Sequence, residues 1–70
     1  MSVILKQHKT DNYYIYVEST IRYGVEVLEV AACPIYGDYC GYPVNNMTYY
    51  DDRKNAMATY RRYVKKYVEE

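Results

Sequence analysis

Hydrophobic periodicity changes once along this chain, at Asp51-Asp52, and that change sets the fold class. Before it, Tyr13, Ile15 and Val17 alternate with Tyr14, Tyr16 and Glu18, the two-residue period of a half-buried strand. After it, apolar residues recur at Ala56, Tyr60, Tyr63 and Tyr67, spacings of 4, 3 and 4 that form one stripe of a helix. A chain of 70 residues has room for one core and no second. Residues 1–70 are therefore expected to form a single small α+β domain. Its predicted architecture is an antiparallel sheet of three strands, with a fourth allowed, packed against one long C-terminal amphipathic helix in the order β-β-β-(β)-α.

The strands are read from residue type and punctuation. Residues 2–7 are rich in β-branched and aliphatic side chains, and the polar cluster His8-Lys9-Thr10-Asp11-Asn12 has turn chemistry. The second strand covers residues 13–19, with its aliphatic side inward. After a turn around Ser19 to Arg22, the third runs over residues 23–33, its inward set opening with Val25 and Val27. Glu26 and Glu29 are three apart, so keeping both in water predicts a β-bulge near Leu28. From Pro34 to Pro43 the composition is that of a loop, and the fourth strand falls between Val44 and Tyr50. Asp51 or Asp52 is expected to cap a helix reaching to about Glu69, roughly 27 Å long. Met57, Val64 and Val68 flank its buried stripe.

Charge is zero in sum but uneven in place. From Arg53 to Lys66 every charged side chain is basic, whereas residues 1–50 lean acidic. Lys54, Arg61, Arg62, Lys65 and Lys66 project away from the apolar stripe, and such a face can neutralise the phosphates of nucleic acid. The competing reading is a solvated face, because Lys and Arg are good helix formers and favour a helix C-terminus. A sheet entering an alanine-containing helix through Tyr50-Asp51 resembles in layout the DNA-binding domains of certain plant transcription factors and of some integrase N-termini. Those domains read DNA with Arg and aromatic side chains on their strands. Here the strands supply only Lys6 and Arg22, and no Trp, so the resemblance assigns no site residue.

All 12 aromatic residues are Tyr. Tyr joins a large apolar ring to a hydroxyl that needs a partner when buried, which suits half-buried positions and binding surfaces. Tyr14 and Tyr16 on the second strand, with Tyr36, Tyr39 and Tyr42 in the loop, are the candidate partner-binding residues.

Catalytic chemistry is not signalled. His8 is the sole histidine and falls in the expected turn, and no Ser, Cys or Thr is spaced with a base and an orienting group. Cys33 and Cys40 enclose six residues, a loop that a disulfide could close but a cytoplasmic setting disfavours, and they fall short of the four ligands of a structural zinc site, so the favoured reading is two free thiols, with no metal and no cofactor. No apolar run reaches the ~20 residues of a membrane span. Residues 1–6 lack the pattern of a signal peptide, which gives a cytoplasmic expectation.

The leading functional expectation is a non-catalytic protein-binding module, a monomer or weak homodimer that occupies a surface of a larger partner. In kind it resembles the small inhibitors that phages and mobile elements encode. The alternative is a nucleic-acid-binding domain that uses the basic helix face.

Overall fold

A computed structural model describes residues 2–68. Its elements are β1 (Ser2–Lys9), β2 (Tyr13–Arg22), β3 (Val25–Tyr36), β4 (Tyr39–Cys40), β5 (Asn45–Tyr50) and α1 (Arg53–Tyr67). The five strands form one antiparallel sheet with β3 as its spine. Along one side of β3 runs β2, which in turn pairs with β1. Along the other side, β5 pairs with residues 27–32 of β3 and β4 with residues 35–36. The helix packs on one face of this sheet, as the change of period predicts.

The helix-facing side takes alternate residues from each strand. Ile15 and Val17 of β2, Leu28, Val30 and Ala32 of β3, and Ala56 and Tyr63 of α1 form the buried core. Leu5, Tyr49, Met57, Tyr60, Val64, Tyr67 and Val68 close it at the margins. Asp52 caps the helix, its carboxylate accepting the Asn55 N–H at 3.2 Å and the Asn55 side-chain amide at 2.7 Å. The helix of 15 residues is about 22 Å long. The expected end near Glu69 lies outside the described residues. Among the described residues, no helix is long and apolar enough to cross a membrane.

Four expectations about the strands are corrected. First, β3 has no bulge near Leu28: its register with β2 is unbroken from Tyr13 opposite Pro34 to Arg22 opposite Val25. The two glutamates lie on opposite faces. Glu26 sits on the helix side, where Arg53 donates to its carboxylate from Nε at 3.0 and 3.1 Å and from Nη2 at 2.8 Å, and the Ser19 hydroxyl donates at 2.6 Å. A partner at the start of the helix removes the need for water that the bulge was meant to meet. The irregularity falls instead in β1, between Ile4 and Lys6, and the extra residue Leu5 packs against the core.

Second, the inward set of β3 begins at Leu28, and Val25 and Val27 lie on the outer face. Third, the turn between β2 and β3 is Tyr23-Gly24, both in the left-handed region at φ 53° and 77°, as a two-residue hairpin of the I′ kind requires. Fourth, β1 extends through Lys9, which places His8 on an edge strand and not in a turn.

The segment expected as a loop from Pro34 to Pro43 is also partly sheet. β3 continues to Tyr36, turns through Gly37 (φ 64°) and Asp38, and returns as β4, pairing Ile35 with Cys40 and Tyr36 with Tyr39. Pro34 is tolerated because this end of β3 faces a two-residue partner and leaves ladder positions free.

Candidate functional site

Alternation puts Tyr14 and Tyr16 on the face of β2 that the helix does not cover. Their rings stack at 5.4 Å between centroids and 30° between planes, and the Tyr14 hydroxyl donates to Gln7 Oε1 at 2.6 Å, tying the pair to β1. The β3–β4 hairpin brings Tyr36 and Tyr39 into contact at 5.9 Å. Gly41 follows, and a Cβ there would lie 2.6 Å from the Tyr36 ring and 3.3 Å from Pro34. Only glycine lets that ring lie against the backbone. The Gly41 N–H donates to the Pro34 carbonyl at 2.7 Å, which holds the return path and sets Tyr42 beside it.

The result is an open concavity of about 690 Å³ lined by Tyr16, Cys33, Tyr36, Tyr39, Cys40 and Tyr42, among others. The structure thus gathers four of the five tyrosines named from sequence around one hollow, with the fifth, Tyr14, stacked on Tyr16. Tyr36, Tyr39 and Tyr42 are 56%, 66% and 93% exposed, so their rings lie open at the rim of the hollow. Tyr16 forms its inner wall. Burial first and the neighbouring Glu29 carboxylate second push its hydroxyl up to about 12, so the site carries a neutral phenol at any physiological pH.

Cys33 is buried at the base of the hollow and Cys40 is exposed at its edge, both as free thiols. Burial, reinforced by Cys40, raises the Cys33 thiol above its ordinary value, which leaves it a poor nucleophile.

The five basic residues of the alternative site all lie exposed on α1, but not on a single line. At about 100° per residue, Lys54, Arg61 and Lys65 share the outer crest, and Arg62 and Lys66 are turned toward β5. The ion pair found among the described residues joins Arg53 to Glu26 and involves none of these five. Lys66 lies 5.3 Å from the Tyr67 ring centroid, and Arg62 donates to the Thr59 hydroxyl at 3.1 Å.

A second concavity, of about 570 Å³, lies between β5 and this flank of the helix and is lined by Asn45, Met47, Arg62, Tyr63, Lys65 and Lys66. Asn45 and Met47 were not singled out from sequence. The available signal was that residues 45–50 contain no charge and no proline. No family model, curated protein or solved structure matches the chain.

Proposed function

We propose that the protein acts without catalysis, as a module that binds a larger protein through Tyr14, Tyr16, Tyr36, Tyr39 and Tyr42. The observation that carries this reading is the convergence of four of these side chains, separated by up to 26 positions in sequence, on one open hollow, with Tyr14 stacked on Tyr16 behind it. The rings of Tyr14 with Tyr16 and of Tyr36 with Tyr39 are held by mutual stacking, the hairpin and the Gly41 contact, so they lose little freedom on binding and their contact area converts efficiently into affinity. An exposed aromatic cluster in a chain this small also fits a role in which occupying a partner's surface is itself the activity, as in an inhibitor. We place the module in the cytoplasm, as a monomer or weak homodimer, where Cys33 and Cys40 stay reduced.

The test is affinity capture from lysate with wild-type chain and with Tyr39→Ala/Tyr42→Ala as baits, followed by mass spectrometry and nucleic-acid staining. A protein retained by wild type and lost with the double alanine variant supports the reading. Equal retention by both refutes it.

The exposure of five helix cations without a carboxylate partner among the described residues favours one second reading, contact with nucleic-acid phosphates. In that case Arg61→Glu/Lys65→Glu abolishes oligonucleotide binding, and wild-type affinity falls steeply from about 50 to 200 mM salt as counterions are released.

A further inference from the structure

The two edges of the sheet are guarded differently. β1 carries Lys6 and Lys9 and is broken by the irregularity at Leu5, two devices that deter strand addition. β5 has neither. It pairs with β3 in unbroken register from Asn45 opposite Ala32 to Tyr50 opposite Val27, and its six residues hold no charge and no proline.

The direction of its free backbone groups follows from the ladder. The Asp51 N–H donates to the Glu26 carbonyl at 2.7 Å. Antiparallel pairing repeats every second residue, so the backbone groups of Tyr49, Met47 and Asn45 point to β3 and those of Asn46, Thr48 and Tyr50 point to the open side.

Beside that edge lies the second concavity. The helix runs back along β5: Tyr49 hydrogen-bonds Thr59, the Tyr63 hydroxyl donates to Asn45 Oδ1 at 3.1 Å, and Asn45 Nδ2 donates to the Tyr67 hydroxyl at 3.4 Å. Met47 shares the helix-facing side with Asn45 and Tyr49, yet it is 45% exposed. Its side chain and the Tyr63 ring form an apolar floor, and Arg62, Lys65 and Lys66 form a cationic rim.

We infer that the open edge of β5 and the groove between it and α1 take an extended acidic segment of a partner protein as an added strand. Such a strand hydrogen-bonds Asn46, Thr48 and Tyr50. Its side chains on the groove side recur every ~6.8 Å, and Arg62 and Lys66 are spaced ~6 Å along the helix. Carboxylates two residues apart, in the row that faces the groove, therefore meet both cations. Charge argues against a second copy as the occupant. Antiparallel pairing of two β5 edges puts both helices on the same face of the joined sheet and brings their Arg62 and Lys66 flanks together, like against like. This surface is separate from the tyrosine hollow, and each can fail without the other.

The test uses fluorescein-labelled peptides of about ten residues alternating Glu and Val. Controls are a Lys and Val peptide and a Glu and Val peptide N-methylated at alternate positions. Binding is read by anisotropy, and amide exchange of the ¹⁵N-labelled chain is followed residue by residue. The acidic peptide is expected to bind and to slow exchange at Asn46, Thr48 and Tyr50. The Lys peptide, the N-methylated peptide and the Arg62→Glu/Lys66→Glu variant should each weaken binding by about tenfold or more, and Tyr39→Ala/Tyr42→Ala should leave it unchanged. Thermal melts confirm that the variants are folded.

Equal binding of the N-methylated peptide overturns strand addition. Equal binding of the Lys peptide overturns the acidic specificity. Absence of peptide binding, with a duplex oligonucleotide bound through Arg62 and Lys66 instead, assigns the groove to nucleic acid. Protection of the same three amides in the chain alone, rising with its concentration, assigns the edge to self-association.

Discussion

Removing the Tyr63 ring tests both the rotation of the helix and the polar link beneath it. Tyr63 is 5% exposed, lies edge-on to Tyr67 at 6.2 Å and sends its hydroxyl to Asn45 at 3.1 Å. Tyr63→Phe keeps the ring and leaves Asn45 Oδ1 without its donor, a loss of ~1 kcal/mol for one partly buried hydrogen bond. Tyr63→Ala also removes a buried aromatic ring, which costs ~3–5 kcal/mol in well-packed cores. A chain of 70 residues has a total stability of ~3.5–10 kcal/mol. The alanine variant is thus expected to lose between about a third of that stability and all of it. For a domain of this size each kcal/mol shifts the midpoint by about 4–8 °C. Circular dichroism melts should therefore place Tyr63→Phe about 4–8 °C below wild type, and Tyr63→Ala should show no cooperative transition or one at least 15 °C lower. Tyr60→Ala, at a half-buried position, should fall between the two. Arg62→Ala should stay within a few degrees of wild type. An Arg62→Ala variant less stable than Tyr63→Ala would mean that the helix presents the opposite face to the sheet.

Three further outcomes follow. Tyr23 is fully exposed and held at positive φ, so Tyr23→Asn should raise stability by ~0.5–1 kcal/mol in a urea melt, because Asn adopts that conformation at less cost. The Glu26 carboxyl is held below its ordinary value, chiefly by the hydrogen bonds from Arg53 and then by that from Ser19. Its contribution is complete above the unfolded value near 4.5 and is lost as pH falls through the lower folded value. Glu26→Gln should therefore flatten the acid limb of a stability–pH profile, and 1 M salt should diminish the difference by screening the pair from its exposed Arg53 side. With iodoacetamide under native conditions, intact mass should show one fast adduct at exposed Cys40. Cys33, at the base of the open hollow, should react far more slowly, since its thiol is buried and raised.

Much of the fold was legible because it rests on local chemistry. The alternation of Tyr13–Ser19 and the 4-3-4 spacing after Asp52 are intrinsic periods, and Asp52 does cap the helix. What was not legible depends on partners distant in sequence. Nothing near Glu26 announces that Arg53, 27 residues on, will hold its carboxylate, so from sequence alone the two glutamates of β3 compete for one face. Pro34, Gly37 and Asp38 have loop chemistry whether they end a strand or turn a hairpin, and only the pairing of Tyr36 with Tyr39 separates the two. Thr59, buried within the helix stripe, escaped a search for apolar residues, yet its hydroxyl meets both Tyr49 and Arg62. For the tyrosine site, the outer placement of Tyr14 and Tyr16 follows from alternation. Their meeting with Tyr36, Tyr39 and Tyr42 required the hairpin. The groove beside β5 required the strand order, which composition does not encode.

The central claim, that the tyrosine hollow is what the protein binds with, is tested most directly by titration calorimetry of the captured and purified partner against three chains at low and high salt. Tyr39→Ala/Tyr42→Ala should weaken binding by ~2–4 kcal/mol, the loss expected when interface hot spots are truncated. Arg61→Glu/Lys65→Glu should bind as wild type does, with modest salt dependence. Undiminished binding by the double alanine variant, together with loss of binding by the double glutamate variant, would contradict the account and move the functional surface to the helix.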